Sequence, residues 1–235
     1  MINIYKLALD AIAALSDITI ESNSSDTDRI GLRLTFDSND ERVLEPIARN
    51  KGTTVIVQNL FSPYPPRRMY LLQHQRKQEE ELHMVAASFA MSLDLNIALS
   101  LDNKMVIQSS GGSREKRVRS ILGQQIAKGI ISGNSALDEW CPNSNLEFFA
   151  STPTSASNGQ FILIVNSRPC FNHALQKAVN REFKLCGGPK TPTVVLFIDT
   201  PIENFRHVPD SPFIGIDFKA ISDLQSSIAR NLHDG

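Results

Sequence analysis

The sequence is poor in the residues that build disulfide frameworks and zinc sites. Its three cysteines, Cys141, Cys170 and Cys186, are odd in number and show no Cys-x-x-Cys spacing. The five histidines are scattered, and no His-Glu-x-x-His pattern occurs. These absences argue against a disulfide-stapled scaffold and the common zinc motifs, and they favour a reducing compartment. We expect the cysteines to be small buried apolar residues rather than reactive thiols.

Long apolar runs and a strong charge of one sign are also absent. No run approaches the roughly 20 apolar residues of a membrane span, and the N-terminus lacks a basic-then-apolar signal. The 235 residues carry a formal net charge of −1, with 41% hydrophobic and 21% charged residues. This is the composition of an ordinary cytosolic or nuclear globular protein without membrane contact. Any nucleic-acid contact must come from a local basic patch.

Motifs with known catalytic mechanics are scarce. No serine lies in a Gly-x-Ser-x-Gly turn. Lys51-Gly52-Thr53-Thr54 resembles a phosphate loop, but the spacing of a true phosphate loop is missing. On its residues alone, Gly-Thr-Thr here is a turn that leads into a β-branched strand over 55–60. The sequence therefore points to no catalytic residue.

Periodicity in the first half predicts helices, strands and one hairpin. Helices begin at Ile4 and, after a proline-rich turn over 62–66, at Arg67. The second helix is expected to bury Leu82, Val85, Phe89 and Leu93. Residues 40–51 show no clear period and are expected to contain a loop. The predicted strands cover residues 17–22, 31–37, 55–60, 96–101 and 104–108, the last two joined at Asp102-Asn103.

The glycine-containing stretch 109–113 is the best candidate domain boundary. A basic helix over 114–123 follows it. Strands are predicted near 129–132 and over 146–151, 161–165 and 193–199, and helices over 172–185 and 219–231. The strand 161–165, the helix 172–185 and the strand 193–199 form a βαβ unit, whose crossover general rules would make right-handed.

Three basic clusters are candidates for phosphate contact. Arg67-Arg68 lies in the first turn of a helix, where the helix dipole disfavours cations, so a functional or tertiary reason is favoured. Residues 114–119 carry four cations, Arg114, Lys116, Arg117 and Arg119, for which a solvated face is the simpler interpretation. Lys177, Arg181 and Lys184 share one helix face near Arg168. This last group is the most credible phosphate-contacting surface. A solvated helix face without a binding role is an equally good interpretation of the same pattern.

The order of segments resembles the MutL family of DNA mismatch-repair proteins. Residues 8–22 resemble the helix and strand after the family's Gly-Phe-Arg-Gly-Glu-Ala-Leu box. Residues 31–37 followed by 51–68 are similar to the family's Gly-Thr-Thr motif, its strand and the proline turn ending in two basic residues. Residues 120–126, 159–170 and 191–199 resemble successive segments of the second domain. The turn at 61–68 and the segment 165–170 look more like the eukaryotic Pms branch than bacterial MutL.

The resemblance implies an α+β fold in two parts. Residues 1–108 would be the C-terminal part of a GHKL ATPase domain, and 109–118 a linker with the start of the basic helix. Residues 119–235 would be a ribosomal-protein-like αβ domain whose βαβ crossover is left-handed, against the general rule. The front part of the ATPase domain is expected to be missing.

The resemblance also implies ATP and Mg²⁺ as the family's cofactors, but the nucleotide motifs depart from the pattern. Residues 3–9 read Asn-Ile-Tyr-Lys-Leu-Ala-Leu where the family has its glycine-rich box. Arg206 and Ser211 stand where the family has an asparagine and a phosphate-binding lysine. Only Gly52, Thr53 and Thr54 survive as a remnant cofactor site. We therefore expect no catalytic residue, no metal site and no tight nucleotide binding.

The predicted function is mismatch repair through DNA and partner binding, with ATP hydrolysis impaired or absent. The alternative is an active ATPase whose missing motifs lie upstream or in another chain. An unrelated αβ enzyme is disfavoured by the ordered resemblance. The implied partners are DNA, another MutL homologue as a heterodimer partner and a MutS-type mismatch-recognition protein, and the implied location is the nucleus. The predicted DNA-binding residues are Arg168, Lys177, Arg181 and Lys184.

Overall fold

The computed structural model describes residues 4–36, 42–122, 130–137, 143–151, 159–185, 193–208 and 214–218. The chain forms two compact units, residues 1–78 and 79–235. They divide earlier than the 109–118 linker, because the second half of a long helix and a hairpin bury side chains in the core of the second unit. The family domains over 1–108 and 119–235 stay a prediction.

A four-stranded antiparallel sheet forms the centre of the first unit. Its order is β3-β2-β1-β4, and helix α1 (Ile4–Ala13) precedes it. The strands are β1 (Asp17–Asn23), β2 (Ile30–Phe36), β3 (Arg42–Ala48) and β4 (Gly52–Gln58). Alternation of apolar and polar residues in β1 leaves Ile18 fully buried. The predicted first helix and first two strands are confirmed to within about two residues.

Residues 49–51, within the segment 40–51 that was expected to contain a loop, lie outside the strands, but the sequence missed that most of this segment is the edge strand β3. Pro46 pairs opposite Leu32, and an edge strand is where a sheet tolerates a residue without an N–H. Arg33 faces Glu45 in the register and donates to its carboxylate at 2.9 Å. The proline and the charges hid the strand period in the sequence.

The helix predicted from Arg67 is two helices, α2 (Pro65–Gln73) and α3 (Gln75–Ser92), separated at His74. α2 begins at two prolines, which fit the first turn because their missing N–H costs no helical hydrogen bond. The predicted buried face of α3 is wrong. Leu82 and Phe89 are exposed, and the five buried residues of the helix are Ala87, Ser88, Ala90, Met91 and Ser92.

A seven-stranded mixed sheet forms the second unit, in the order β12-β13-β10-β9-β11-β8-β7. Its strands are β7 (Ile130–Ala136), β8 (Asn145–Ser151), β9 (Phe161–Val165), β10 (Arg168–Phe171), β11 (Val194–Asp199), β12 (Phe205–Val208) and β13 (Ile214–Phe218). The sequence missed β10, β12 and β13, which have four or five residues each. Such short strands carry too little periodicity to be recognised.

The predicted strands of the βαβ unit are parallel neighbours, β9 and β11. Between them along the chain come β10, which turns back antiparallel to β9, and helix α5 (His173–Leu185). The left-handed crossover and the ribosomal-protein-like assignment stay predictions. The predicted helix over 219–231 lies outside the described residues.

Both faces of the large sheet are covered by apolar side chains. On one face Leu163, Val165 and Leu196 form a core with Leu175 and Val179 of α5. On the other face Ile164 and Phe197 pack in a cluster with side chains of α3, the hairpin β5 (Asn96–Leu101) and β6 (Lys104–Ser110), and helix α4 (Arg114–Leu122). The predicted turn of this hairpin is confirmed, with positive φ at Asp102 and Asn103. This two-sided burial fixes α4 and α5 on the unit.

Candidate functional site

The remnant motif Gly52, Thr53 and Thr54 forms the first three residues of β4 rather than a preceding turn. The hydroxyls of Thr53 and Ser22 share a hydrogen bond of 2.9 Å across the β1–β4 pair. The hydroxyl of Thr54 accepts from the guanidinium of Arg49 at 3.1 Å. Both threonine hydroxyls therefore hold the sheet end together. Gly52, at a φ of 135°, adopts backbone that a side chain would strain.

Arg49 organises this end of the small sheet, although no motif in the sequence marked it. Its guanidinium also donates to the Glu21 carbonyl at 2.6 Å, and its aliphatic stem lies over Gly31. A Cβ at Gly31 would come within 2.8 Å of that stem, so the glycine makes room for the arginine. Buried Asn23 donates to the Asp28 and Arg49 carbonyls and ties the neighbouring loops together.

The four predicted DNA-binding cations are all exposed on the second unit. Three of them project from α5, whose opposite face buries Leu175 and Val179. The helix begins after Asn172, whose side-chain oxygen accepts from the Leu175 N–H at 2.7 Å as an N-cap. Arg168 begins β10, the strand that leads into this cap. Among the four, Arg181 also pairs with Glu182 at 3.1 Å. Three exposed cations therefore share one helix, and the fourth lies at the start of the strand that precedes this helix in the chain.

Two of the four cations of helix α4 do not lie on a solvated face, which was the interpretation that the sequence favoured. Arg117 is buried, donates to the Met91 carbonyl at 2.8 Å and to the Gly112 carbonyl, and has a pKa lowered by burial. Arg114 donates to Glu147 at 3.1 Å and to Asp199 at 2.8 Å. Burial lowers the pKa of Arg114, but the hydrogen bonds to Asp199 and Glu147 outweigh it and the pKa is raised. These two arginines are structural ties.

A cluster of aromatic rings and arginines lies around the start of α2 in the first unit, and the sequence marked only Arg67 and Arg68 among its members. Phe61, Pro66, Arg67, Tyr70 and Leu71 line an open cavity of about 410 Å³. The Arg67 guanidinium lies 5.7 Å from the ring centre of Phe61. Sequence reasoning saw the two cations but missed the rings around them.

The remaining predictions concern the cysteines, Arg206 and Ser211, and the absence of metal and membrane-spanning sites. Cys170 is buried, as predicted, and this burial raises the pKa of its thiol; Cys141 and Cys186 lie outside the described residues. Arg206 is exposed on β12, and Ser211 also lies outside the described residues. Within the described ranges no group of three His, Cys, Asp or Glu side chains could hold a metal ion. No helix there is long and apolar enough to cross a membrane.

Comparison with known proteins finds consistent sequence relatives. The chain is 27% identical to human mismatch repair endonuclease PMS2 over 224 residues, which covers 83% of the chain. It is 29% identical to the DNA mismatch repair protein MutL of Clostridium perfringens over 199 residues, 82% of the chain. The chain is a homologue of the MutL and PMS2 mismatch-repair proteins. It spans 26% of the length of human PMS2 and 28% of the Clostridium protein. No protein-family model matches it.

Solved structures give the same answer for the fold. The N-terminal domain of a DNA repair protein superposes with a TM-score of 0.79 at 18% identity, over 97% of this chain and 71% of that one. The Aquifex aeolicus MutL ATPase domain complexed with ADP gives a TM-score of 0.62 at 19% identity, over 84% and 74%. The predicted mixed αβ fold of a MutL ATPase domain is therefore confirmed.

Proposed function

We propose that this MutL homologue acts in DNA mismatch repair by binding DNA and protein partners, with ATP hydrolysis impaired or absent. The observation that carries the proposal is the sequence relationship to PMS2 and MutL over more than four fifths of the chain. We further propose the Pms branch, a nuclear location, a second MutL homologue as heterodimer partner and a MutS-type protein as the mismatch-recognition partner. These follow from the family resemblance.

The DNA-binding part of the proposal uses the basic face of the second unit. Lys177, Arg181 and Lys184 are exposed on α5, and Arg168 is exposed on the strand before it. Exposed Lys and Arg can contact phosphates without reading base sequence. Because the net charge of the chain is only −1, attraction to duplex DNA would have to come from such a local face.

The impaired hydrolysis is supported by how the remnant motif is used. The Thr53 and Thr54 hydroxyls are engaged by Ser22 and Arg49. A general base must lie within hydrogen-bond reach of the attacking water, and the sequence offers none in a recognisable motif. We propose that Gly52, Thr53 and Thr54 stabilise the sheet end and bind ATP and Mg²⁺ weakly or not at all.

Duplex retention tests the DNA-binding part. We expect binding of a fluorescent duplex to fall when Lys177 and Arg181 are each changed to Glu. The slope of the logarithm of the binding constant against the logarithm of the salt concentration should decrease in magnitude by about one for each phosphate that is no longer neutralised. Lys104→Glu is the matched control, because Lys104 is also exposed but lies at a hairpin turn rather than on α5. If all variants bound the duplex as well as the parent does, the basic face of α5 would not be the surface that contacts DNA.

Nucleotide binding tests the second part. A fluorescent ATP analogue titrated with and without Mg²⁺ should show no tight saturable binding. Tight, Mg²⁺-dependent binding would overturn this part and support the alternative of an active ATPase completed by motifs upstream or in another chain.

A further inference from the structure

The turn before α2 holds its aromatic residues in a fixed conformation. Asn59 and Phe61 both have positive φ, 54° and 60°, which costs energy for residues other than glycine. Two contacts maintain this backbone. The Phe61 N–H donates to the Leu15 carbonyl at 2.7 Å, and the Asn59 side chain donates to Asp17 at 2.6 Å. The ring of Phe61 is thus presented in advance rather than by a flexible loop.

Aromatic rings and a guanidinium group are packed against one another around this turn. The Arg67 guanidinium lies 5.7 Å from the Phe61 ring centre and 6.0 Å from that of Tyr64. The rings of Tyr70 and His74 are stacked with centroids 4.1 Å apart. We call Phe61, Tyr64, Arg67, Tyr70 and His74 the aromatic platform. Tyr64 and Tyr70 are each about half exposed, and the cavity of about 410 Å³ opens beside them.

The turn and the helix α2 carry positive charge without acidic neighbours in the sequence. Residues 59–74 contain two arginines, Arg67 and Arg68, and no Asp or Glu. Arg67 and Arg68 lie in the first turn of α2, where the helix dipole disfavours cations and no acidic residue offsets them. Within the described part of the chain, neither arginine forms an ion pair with a carboxylate. Two exposed arginines kept at such positions suit an anionic ligand.

We propose that the aromatic platform binds single-stranded DNA by stacking an unpaired base on Tyr70 while Arg67 and Arg68 contact the flanking phosphates. Proteins that bind single strands combine a basic surface with exposed rings, because every base has a face that can stack. Duplex DNA keeps those faces inside its own stack. This inference rests on the proposed function, but it uses the first unit rather than the basic face of α5.

Fluorescence anisotropy with labelled oligothymidylate of about 15 nucleotides tests the platform. We expect Tyr70→Ala to weaken binding about tenfold, because stacking is removed, and Tyr70→Phe to bind like the parent, because the ring remains. Arg67→Glu should also weaken binding and should lower the salt dependence. Retention of duplex DNA by Tyr70→Ala should stay at the parental level.

A base-free comparison needs no variant and separates stacking from charge. An abasic deoxyribose-phosphate strand of the same length should bind the parent protein at least several-fold more weakly than oligothymidylate. Equal binding of the abasic strand, or equal binding of oligoglutamate as an acidic peptide probe, would overturn the stacking proposal in favour of general attraction to anions. So would oligothymidylate binding by Tyr70→Ala and Arg67→Glu that matches the parent. Loss of duplex retention through Lys177 and Arg181 is scored separately, so either proposal can fail alone.

Discussion

Two helices of the second unit carry similar runs of cations and use them in opposite ways. α4 has Arg114, Lys116, Arg117 and Arg119, and α5 has Lys177, Arg181 and Lys184. In α4, Arg117 is 5% exposed and Arg114 lies against Glu147, Asp199 and the Phe197 ring. In α5 all three cations are exposed.

The difference lies in what each helix faces. The first turn of α4 lies near carboxylates on β8 and β11 and near the end of α3, so its arginines meet partners that need donors. α5 lays an apolar face of Leu175 and Val179 on the sheet and leaves its cations on the other side. Basic composition alone therefore does not distinguish a structural tie from a binding surface. The residues that surround a cation do.

The largest effect is expected at Arg117. It donates to the carbonyl of Met91, one of the last carbonyls of α3, which has no partner within its own helix. Arg117→Ala would leave that buried carbonyl without its donor, and we expect the free energy of unfolding to fall by about 3 kcal/mol. Urea unfolding followed by circular dichroism measures the change.

Arg119→Ala is the matched control for this prediction. Arg119 lies two residues further along α4 and pairs with Glu115 at 2.9 Å on the helix surface. A surface pair of this kind contributes at most about 0.5 kcal/mol. Equal losses for the two variants would show that the hydrogen bond from Arg117 to the Met91 carbonyl stabilises the protein no more than a surface ion pair does.

A smaller loss is expected at Arg114, which is about one-quarter exposed. Arg114→Ala removes two hydrogen bonds and the contact with the Phe197 ring, centred 4.9 Å away, and leaves Glu147 and Asp199 without their shared cation. We expect a loss of about 1–2 kcal/mol. Adding Asp199→Asn to Arg114→Ala should restore part of it, because one unpaired carboxylate is then gone. No recovery in this double-mutant cycle would assign the loss to packing on Phe197 instead.

How much of this could be predicted from sequence depends on how local the determinant is. The hairpin turn at Asp102-Asn103 and the strands of alternating residues such as β1 were predictable, because neighbours along the chain decide them. β3 was missed because Pro46 and paired charges obscure its period. The roles of Arg49 and Arg117 were missed because their partners lie 28 and 26 residues away. The three cations on one face of α5 were predictable from helical spacing, whereas the rings gathered around Arg67 depend on strained backbone at Asn59 and Phe61.

The smallest effect on stability is expected for substitutions of the exposed lysines of α5. The size of this effect should depend on where the lysine lies along the helix. Lys177 is exposed in the middle of the helix, so Lys177→Glu should change the free energy of unfolding by less than about 0.5 kcal/mol. Lys184 lies in the last turn, where a cation interacts favourably with the helix dipole. Lys184→Glu should therefore cost about 0.5 kcal/mol more than Lys177→Glu in the same urea measurement, and the gap should shrink at high salt. A loss at Lys177 as large as that at Arg117 would mean that this face is a structural tie like that of α4, and the contrast between the two helices would not hold.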